Sequence, residues 1–419
     1  MRRIMSFVMA VGTVVTLALS VLQEAKGMPM FARKYGISCA VCHTSPPRLN
    51  ETGYRFRAAG FRMPSEIGKG RAEEKFDILN YFSGRVQVRA EASRTKTGAT
   101  KTDAHLFRLQ ALEIYPFTGA WGKYFSTNFK VTFTPLLSPA YAIENAHAKV
   151  NVGNAKRFLG ARIGIFHPYD GYGASDSPAT ISRPLIQTTP ANLDQTTFFR
   201  TWGFDQTGAE IGLDYRRTSI RVATLKGVVL NNRDGGLTAA AAQGGLLTRR
   251  AVNPDHDGAD IQLFVNHVLR PEGGGLSLQY YRGNLSLPNA RQPGAFFRNS
   301  FDRVGLYGSY PAAKRLHVFA GYQHGRDKVA TGGRFSSNGA FVEASVPLNE
   351  LTAAGARYDW FDPASGKSNN ELRGITAYVN AWIFSQVRVV AEYQNRKTLR
   401  GAAPTQTDDV FQTRFIYIK

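Results

Sequence analysis

The chain has 419 residues, 43% of them hydrophobic and 12% aromatic, and its 52 Lys and Arg outweigh 31 Asp and Glu to give a formal charge of +21. That is too apolar for a disordered chain, while a mean hydropathy of −0.26 and no long apolar run beyond residue 22 exclude a bundle of membrane-spanning helices. A membrane β-barrel stays open, because its lipid-facing residues hide in alternate positions, and 41 Gly, 18 Tyr and 27 Phe suit one.

At the amino terminus Arg2 and Arg3 precede an uncharged stretch from Ile4 to Leu22, followed by the small residues around Ala25-Lys26-Gly27. Residues 1–27 therefore read as an export signal. The alternative is an uncleaved anchor, for which the stretch is also long enough.

Cys39-Ala40-Val41-Cys42-His43 follows and holds both cysteines of the chain. C-x-x-C-H is the attachment signature of a c-type haem: two thiols form thioethers to the vinyl groups and the adjacent imidazole reaches the iron. One covalently attached c-type haem is the expected cofactor. The bland alternative is a 39–42 disulfide with His43 incidental. Against redox use of the dithiol, no thioredoxin-like βαβ pattern surrounds it.

Past the signal only Met28, Met30 and Met63 remain as methionines, all near the motif. Met63 follows a helix-like stretch over 49–59 ended by Gly60 and precedes Pro64, which makes it the candidate distal ligand to the iron; core packing of Met63, a histidine ligand, or none are the alternatives. Arg33, Lys34, Arg55, Arg57 and Arg62 crowd the same segment and read either as partners of haem propionates or as a solvated face. About 40 residues are too few to bury a haem alone. The expected division is a small helical cytochrome domain with its linker over 28–75 and a second body over 76–419.

That second body alternates with period 2. Phe129, Val131 and Phe133 interleave with Lys130, Thr132 and Thr134; Ala209, Ile211, Leu213 and Tyr215 interleave with Glu210, Gly212, Asp214 and Arg216. Sixteen such strands begin near residues 78, 104, 123, 140, 157, 208, 219, 260, 276, 301, 315, 339, 353, 371, 386 and 409. Links at 118–120, 151–154, 216–218, 271–275, 311–314, 347–350 and 384–385 are short. Those at 91–103, 167–207, 231–259, 284–300, 325–338, 362–370 and 396–408 are long. An even strand number with short turns at one end and long loops at the other predicts an all-β fold, an antiparallel outer-membrane barrel of about 16 strands with short turns in the periplasm and long loops extracellular. A soluble sandwich or propeller also alternates, but has no reason to keep its long loops at one end. The last strand places Phe411, Phe415 and Tyr417 on one face and ends in Lys419, where many such barrels end in an aromatic residue.

The opposite phase assigns Arg85, Arg89, Arg108, Lys130, Arg162, Arg388 and Arg414 to the lumen. A positive interior favours anions or the propionates of a haem. No basic helix or stacking module presents this charge to nucleic acid. Among the loops, 253–258 opens like a calcium site, but Phe264 stands where the bidentate glutamate belongs. Asp255, His256, Asp257 and Asp260 are an alternative donor set for ferrous iron, or an ordinary polar loop. The 167–207 loop, with Asp170, Asp176, Asp194 and Asp205, is the longest and a candidate to fold inward.

The segment 28–64, MPMFARKYGISCAVCHTSPPRLNETGYRFRAAGFRMP, followed by sixteen strands, resembles the fused monohaem cytochrome–porins of the bacterial outer membrane, best known from iron-oxidising bacteria. The resemblance implies that Cys39, Cys42 and His43 hold the haem and that the haem domain plugs the barrel. It also implies that electrons from extracellular Fe(II), or another donor, pass to a periplasmic carrier, an iron:cytochrome-type oxidoreductase role. Two function classes stay open: this electron conduit, and an anion-permeable porin whose haem domain is a plug or sensor. Outer-membrane lipid is a partner in both, and an oligomer is compatible with either. No catalytic triad, phosphate loop or zinc cluster points to a hydrolase or nucleotide enzyme.

Overall fold

Period-2 alternation becomes a closed antiparallel ring in the computed structural model, which describes residues 29–38, 41–45, 48–69, 77–134, 141–171, 179–187, 205–226, 259–288, 296–313, 316–328, 333–349, 351–384 and 386–418. The expected signal segment, Met28 and Cys39 lie outside the described residues. The ring consists of β3 (Ser83–Thr97), β4 (Thr100–Tyr115), β5 (Gly119–Trp121), β6 (Phe125–Phe133), β7 (Tyr141–Gly153), β8 (Arg157–Phe166), β9 (Gln206–Tyr215), β10 (Thr218–Leu225), β11 (Asp260–Val268), β12 (Gly275–Pro288), β13 (Phe296–Ala313), β14 (Leu316–Lys328), β15 (Arg334–Pro347), β16 (Thr352–Asp362), β17 (Leu372–Phe384), β18 (Val387–Arg400) and β19 (Ala403–Ile418). Strand β19 pairs back onto β3, Arg414 opposite Arg89, so no sheet edge is left. Because β4 also pairs directly with β6, the three-residue β5 is a ledge in their turn, and sixteen strands span the wall.

Outward positions are apolar: Phe107 is 77% exposed, Ile163 and Ile211 67%. Such a belt is costly in water and favourable in lipid. Together with the closed ring it makes the chain a membrane-spanning barrel. Inward positions are polar and paired. Arg85 meets Glu113, Lys130 meets Glu144, Arg162 meets Glu210 at 2.6 Å, Arg303 meets Asp327 at 2.9 Å and Arg357 meets Asp359 at 2.8 Å. Buried charges need such partners. The interior expected to be positive also carries carboxylates, each of these paired with one of its cations.

Two differences from the sequence reading have local causes. The first strand was expected near 78, but Asp77 accepts a hydrogen bond from the Leu79 amide at 2.9 Å, and residues 78–80 curl into a 3-10 turn before Ser83. The links 91–103 and 396–408 are not loops. There β3 and β4, and β18 and β19, continue as paired ribbons to two-residue turns containing Gly98 and Gly401. Above the lipid both faces meet water, so the apolar alternation stops while the backbone ladder goes on. Arg94 and Asp103 now pair across the ribbon at 2.7 Å.

Residues 29–69 form a small plug. Helix α1 (Pro29–Tyr35) and helix α2 (Glu51–Ala58) enclose a two-strand ribbon, β1 (His43–Ser45) with β2 (Arg48–Leu49). Its core is Met30, Phe31 and Phe56, with Tyr35, Phe61 and Met63 packed around them. Asn50 caps α2 by accepting from the Gly53 amide at 3.0 Å, and its own amide donates to the Val41 carbonyl at 3.1 Å. One side chain thus joins the helix to the C-x-x-C-H stretch.

Candidate functional site

The plug sits inside the short-turn end of the barrel, held by its own cations. Arg33 donates to the Leu79 and Phe82 carbonyls, Lys34 to the Tyr81 hydroxyl at 2.9 Å and the Ala120 carbonyl at 3.2 Å. Arg62, 1% exposed, donates to the carbonyls of Gly122 at 2.8 Å and Phe125 at 3.1 Å. Arg55 reaches the Ala155 carbonyl. From the wall Lys149 donates to the Ala58 carbonyl, satisfying the C-terminal end of α2. Four of the five basic residues that the sequence offered as propionate partners or a solvated face therefore anchor the plug. Arg57 alone of the five lines the cavity described next.

Between plug and wall lies a cavity of about 270 Å³. The plug contributes Cys42, His43 and an apolar face of Phe31, Ile37, Leu49, Phe56 and Phe61. The charged side chains on it are Arg57, Arg85, Lys149, Arg162 and Arg388, with no carboxylate among the described lining residues. Gly53 is required on this face, because a Cβ there would run into the Cys42 carbonyl. Burial pushes the Cys42 thiol up, so it is no activated thiolate.

The 167–207 loop folds inward, as its length suggested, over its described parts. Gln262 donates to the Tyr169 carbonyl at 2.7 Å, and the Gly171 amide donates to Gln279 at 3.1 Å. Farther along, the Ile181 amide donates to Glu392 at 2.7 Å, the Leu185 amide donates to Asp359 at 3.1 Å, and Arg357 donates to Thr180 and Ser182. Tyr169 and His167 line the cavity beside the plug. Burial pushes the Tyr169 hydroxyl up, but Lys149, Arg221, Arg162 and Arg57 outweigh it and bring the group below its ordinary value.

Of the residues singled out from sequence, the structure brings Cys42 and His43 to this cavity. Met63 packs against the Met30–Phe31–Phe56 core and is not among the lining residues. Asp170 and Asp205 flank His167, at 3.3 and 3.8 Å. Asp260 faces the lumen, accepting from the Tyr281 hydroxyl at 2.6 Å and the Asn284 amide at 3.0 Å. Asp176, Asp194, Asp255, His256 and Asp257 lie outside the described residues, among which no group of three metal-ligating side chains occurs. The sequence reading missed His147, Lys149, Tyr169 and Trp382. The phase that assigned Arg162 to the lumen, followed back through the β7–β8 pairing, also turns His147 and Lys149 inward.

The residues present fit a c-type haem. An apolar plug face opposes a cationic wall, and two buried atoms on the wall, Trp382 Nε1 and His147 Nδ1, have no hydrogen-bond partner of ordinary geometry.

Protein-family models and curated proteins gave no match. Solved structures did, among them an anion-selective porin from Comamonas acidovorans (TM-score 0.56, 11% identity, 80% of this chain and 99% of that one). Others are OprB of Pseudomonas putida (0.53, 11%, 80% and 94%) and the channel DcaP of Acinetobacter baumannii (0.52, 10%, 81% and 97%). The fold is that of an outer-membrane porin. In outer-membrane barrels of this fold the short-turn end is the periplasmic mouth, and here that end carries the plug. Each neighbour covers about four-fifths of the chain, a share close to that of the barrel itself.

Proposed function

We propose that this chain is an outer-membrane porin barrel that carries one covalent c-type haem between its plug and its wall, and that it serves electron transfer across the membrane. The observation that carries the reading is the cavity: Cys42 and His43 of the C-x-x-C-H stretch open onto it, with an apolar face and Arg57 on the plug side, Arg85, Lys149, Arg162 and Arg388 on the wall side, and no carboxylate among the described lining residues. Cys39 and Cys42 would hold the group covalently and His43 would ligate its iron. The apolar face excludes water, while Arg57, Arg85, Lys149, Arg162 and Arg388 present positive charge to its carboxylates. When bound, the haem supplies a one-electron couple. Extracellular Fe(II) is the donor we favour and a periplasmic carrier the acceptor.

A second reading, an anion-permeable porin with a haem-bearing plug, is favoured by the likeness to an anion-selective porin and by the cations around the cavity. Conductance separates the two. The detergent-purified, haem-loaded protein in a planar bilayer should pass little current if the plug and the inward-folded residues 167–171 and 179–187 close the lumen, and anaerobic Fe(II) should raise a reduced c-type α band. A large anion current with a haem that dithionite reduces and Fe(II) does not would favour the porin reading.

A further inference from the structure

We infer that the distal iron ligand comes from the barrel wall, not from the plug, and that it is His147 of β7. The inference rests on the haem reading above. Among the described lining residues the nitrogen ligands besides His43 are His147 and His167, with Lys149 as a third basic nitrogen. Lys149 is committed to the Ala58 carbonyl. His167 has Nε2 at 3.3 Å from Asp170 and Nδ1 at 3.8 Å from Asp205, so its ring sits between two carboxylates, one of them at hydrogen-bond distance. His147 differs: it is 9% exposed, stands edge-on to Phe166 at 6.0 Å, and its Nδ1 has no hydrogen-bond partner of ordinary geometry. A buried imidazole with an unused nitrogen needs a reason.

The ring also has what a metal ligand needs behind it. Backbone of Ile165 on β8 lies beside it, the kind of group that fixes the tautomer of a ligating imidazole, and the β7–β8 ladder holds it rigidly. Met63, the thioether nearest in sequence, is instead packed into the plug core. His43 from the plug and His147 from the wall then make the iron a bridge between two bodies of one chain.

The test uses full-length, haem-loaded protein in detergent. Ferric protein should show low-spin bis-imidazole electron paramagnetic resonance and near-infrared magnetic circular dichroism, without a methionine–iron charge-transfer band. His147→Ala should become predominantly high-spin, and added imidazole should restore the low-spin signals; Met63→Leu should leave them unchanged. Should the alanine variant not assemble, His147→Gln keeps most of the volume and should give the same high-spin spectrum. A methionine band in the unmodified protein, or a low-spin spectrum surviving in either His147 variant, overturns the inference. A pyridine haemochrome assay on the same samples separates the levels: no haem in the unmodified protein sinks the cytochrome reading too, whereas haem present with His147 irrelevant sinks only this ligand.

Discussion

Arg62 offers the sharpest test of how the plug is held. Its guanidinium is fully buried and makes two hydrogen bonds to carbonyls of the β5–β6 turn, at 2.8 and 3.1 Å. A hydrogen bond from a charged donor contributes about 1.5–3 kcal/mol net. Arg62→Met keeps the bulk and removes both, stranding two acceptors. Taking the low end, because water reaches a turn and a buried guanidinium carries its own desolvation cost, the docked plug should lose about 3 kcal/mol. At tenfold per roughly 1.4 kcal/mol that multiplies the undocked population on the order of 100-fold. The assay is proteolysis of residues 29–69 from the short-turn side in detergent, under conditions where cleavage is slow compared with redocking, so that rate reports population. Arg94→Met, which removes an exposed pair on the β3–β4 ribbon, is the control and should cleave as the unmodified protein does. If Arg62→Met also cleaves at the unmodified rate, the plug is not held by its cations on turn carbonyls.

Gly53→Ala would gain helix propensity on an open helix. Here the methyl meets the Cys42 carbonyl and comes within 2.8 Å of Leu49, so the plug should lose about 1–3 kcal/mol and haem per barrel should fall several-fold by absorbance, with barrel heat-modifiability unchanged. Glu392→Ala strips the Ile181 and Ser182 amides of their acceptor; each buried donor left unsatisfied costs about 1–3 kcal/mol, and hydrogen exchange at those two amides should speed by at least tenfold. For Tyr169 the sign follows from a folded value held below the unfolded one of about 10. Its stabilisation is absent at low pH, grows as pH rises through the folded value and is complete above the unfolded one. The stability difference between the unmodified protein and Tyr169→Phe should thus be larger at about pH 10 than at about pH 7; equal differences in thermal unfolding would remove the cation cluster from the account.

The barrel was legible because lipid on one side and water on the other impose an alternation that survives without any alignment. Phe129 to Thr134 or Ala209 to Arg216 show it in a glance, and the short links gave the polarity of the two ends. Legibility failed where that contrast vanishes. Residues 94–103 put Arg94, Lys96, Lys101 and Asp103 on one face and threonines on the other, so no apolar face marks them and they read as a loop, although Gly98 turns a continuous ladder there. The haem motif was legible as spacing, but the purpose of its basic neighbours was not. Arg33, Lys34 and Arg62 reach main-chain oxygens of distant turns, and a carbonyl leaves no mark in a sequence. Glu210, the carboxylate partner of Arg162, was in view as an interleaved residue of its own strand, but strands were read one at a time, which hid the pairing.

The cavity straddles the seam where the ring closes. Arg85 comes from β3, Ile416 and Ile418 from β19, and the opposite face from residues that precede both. Residues of β7, β8, β17 and β18 line it as well, and the lining is complete only when β19 has zipped onto β3. A chain stalled one strand short would own every residue of the C-x-x-C-H stretch and still lack a closed chamber for it.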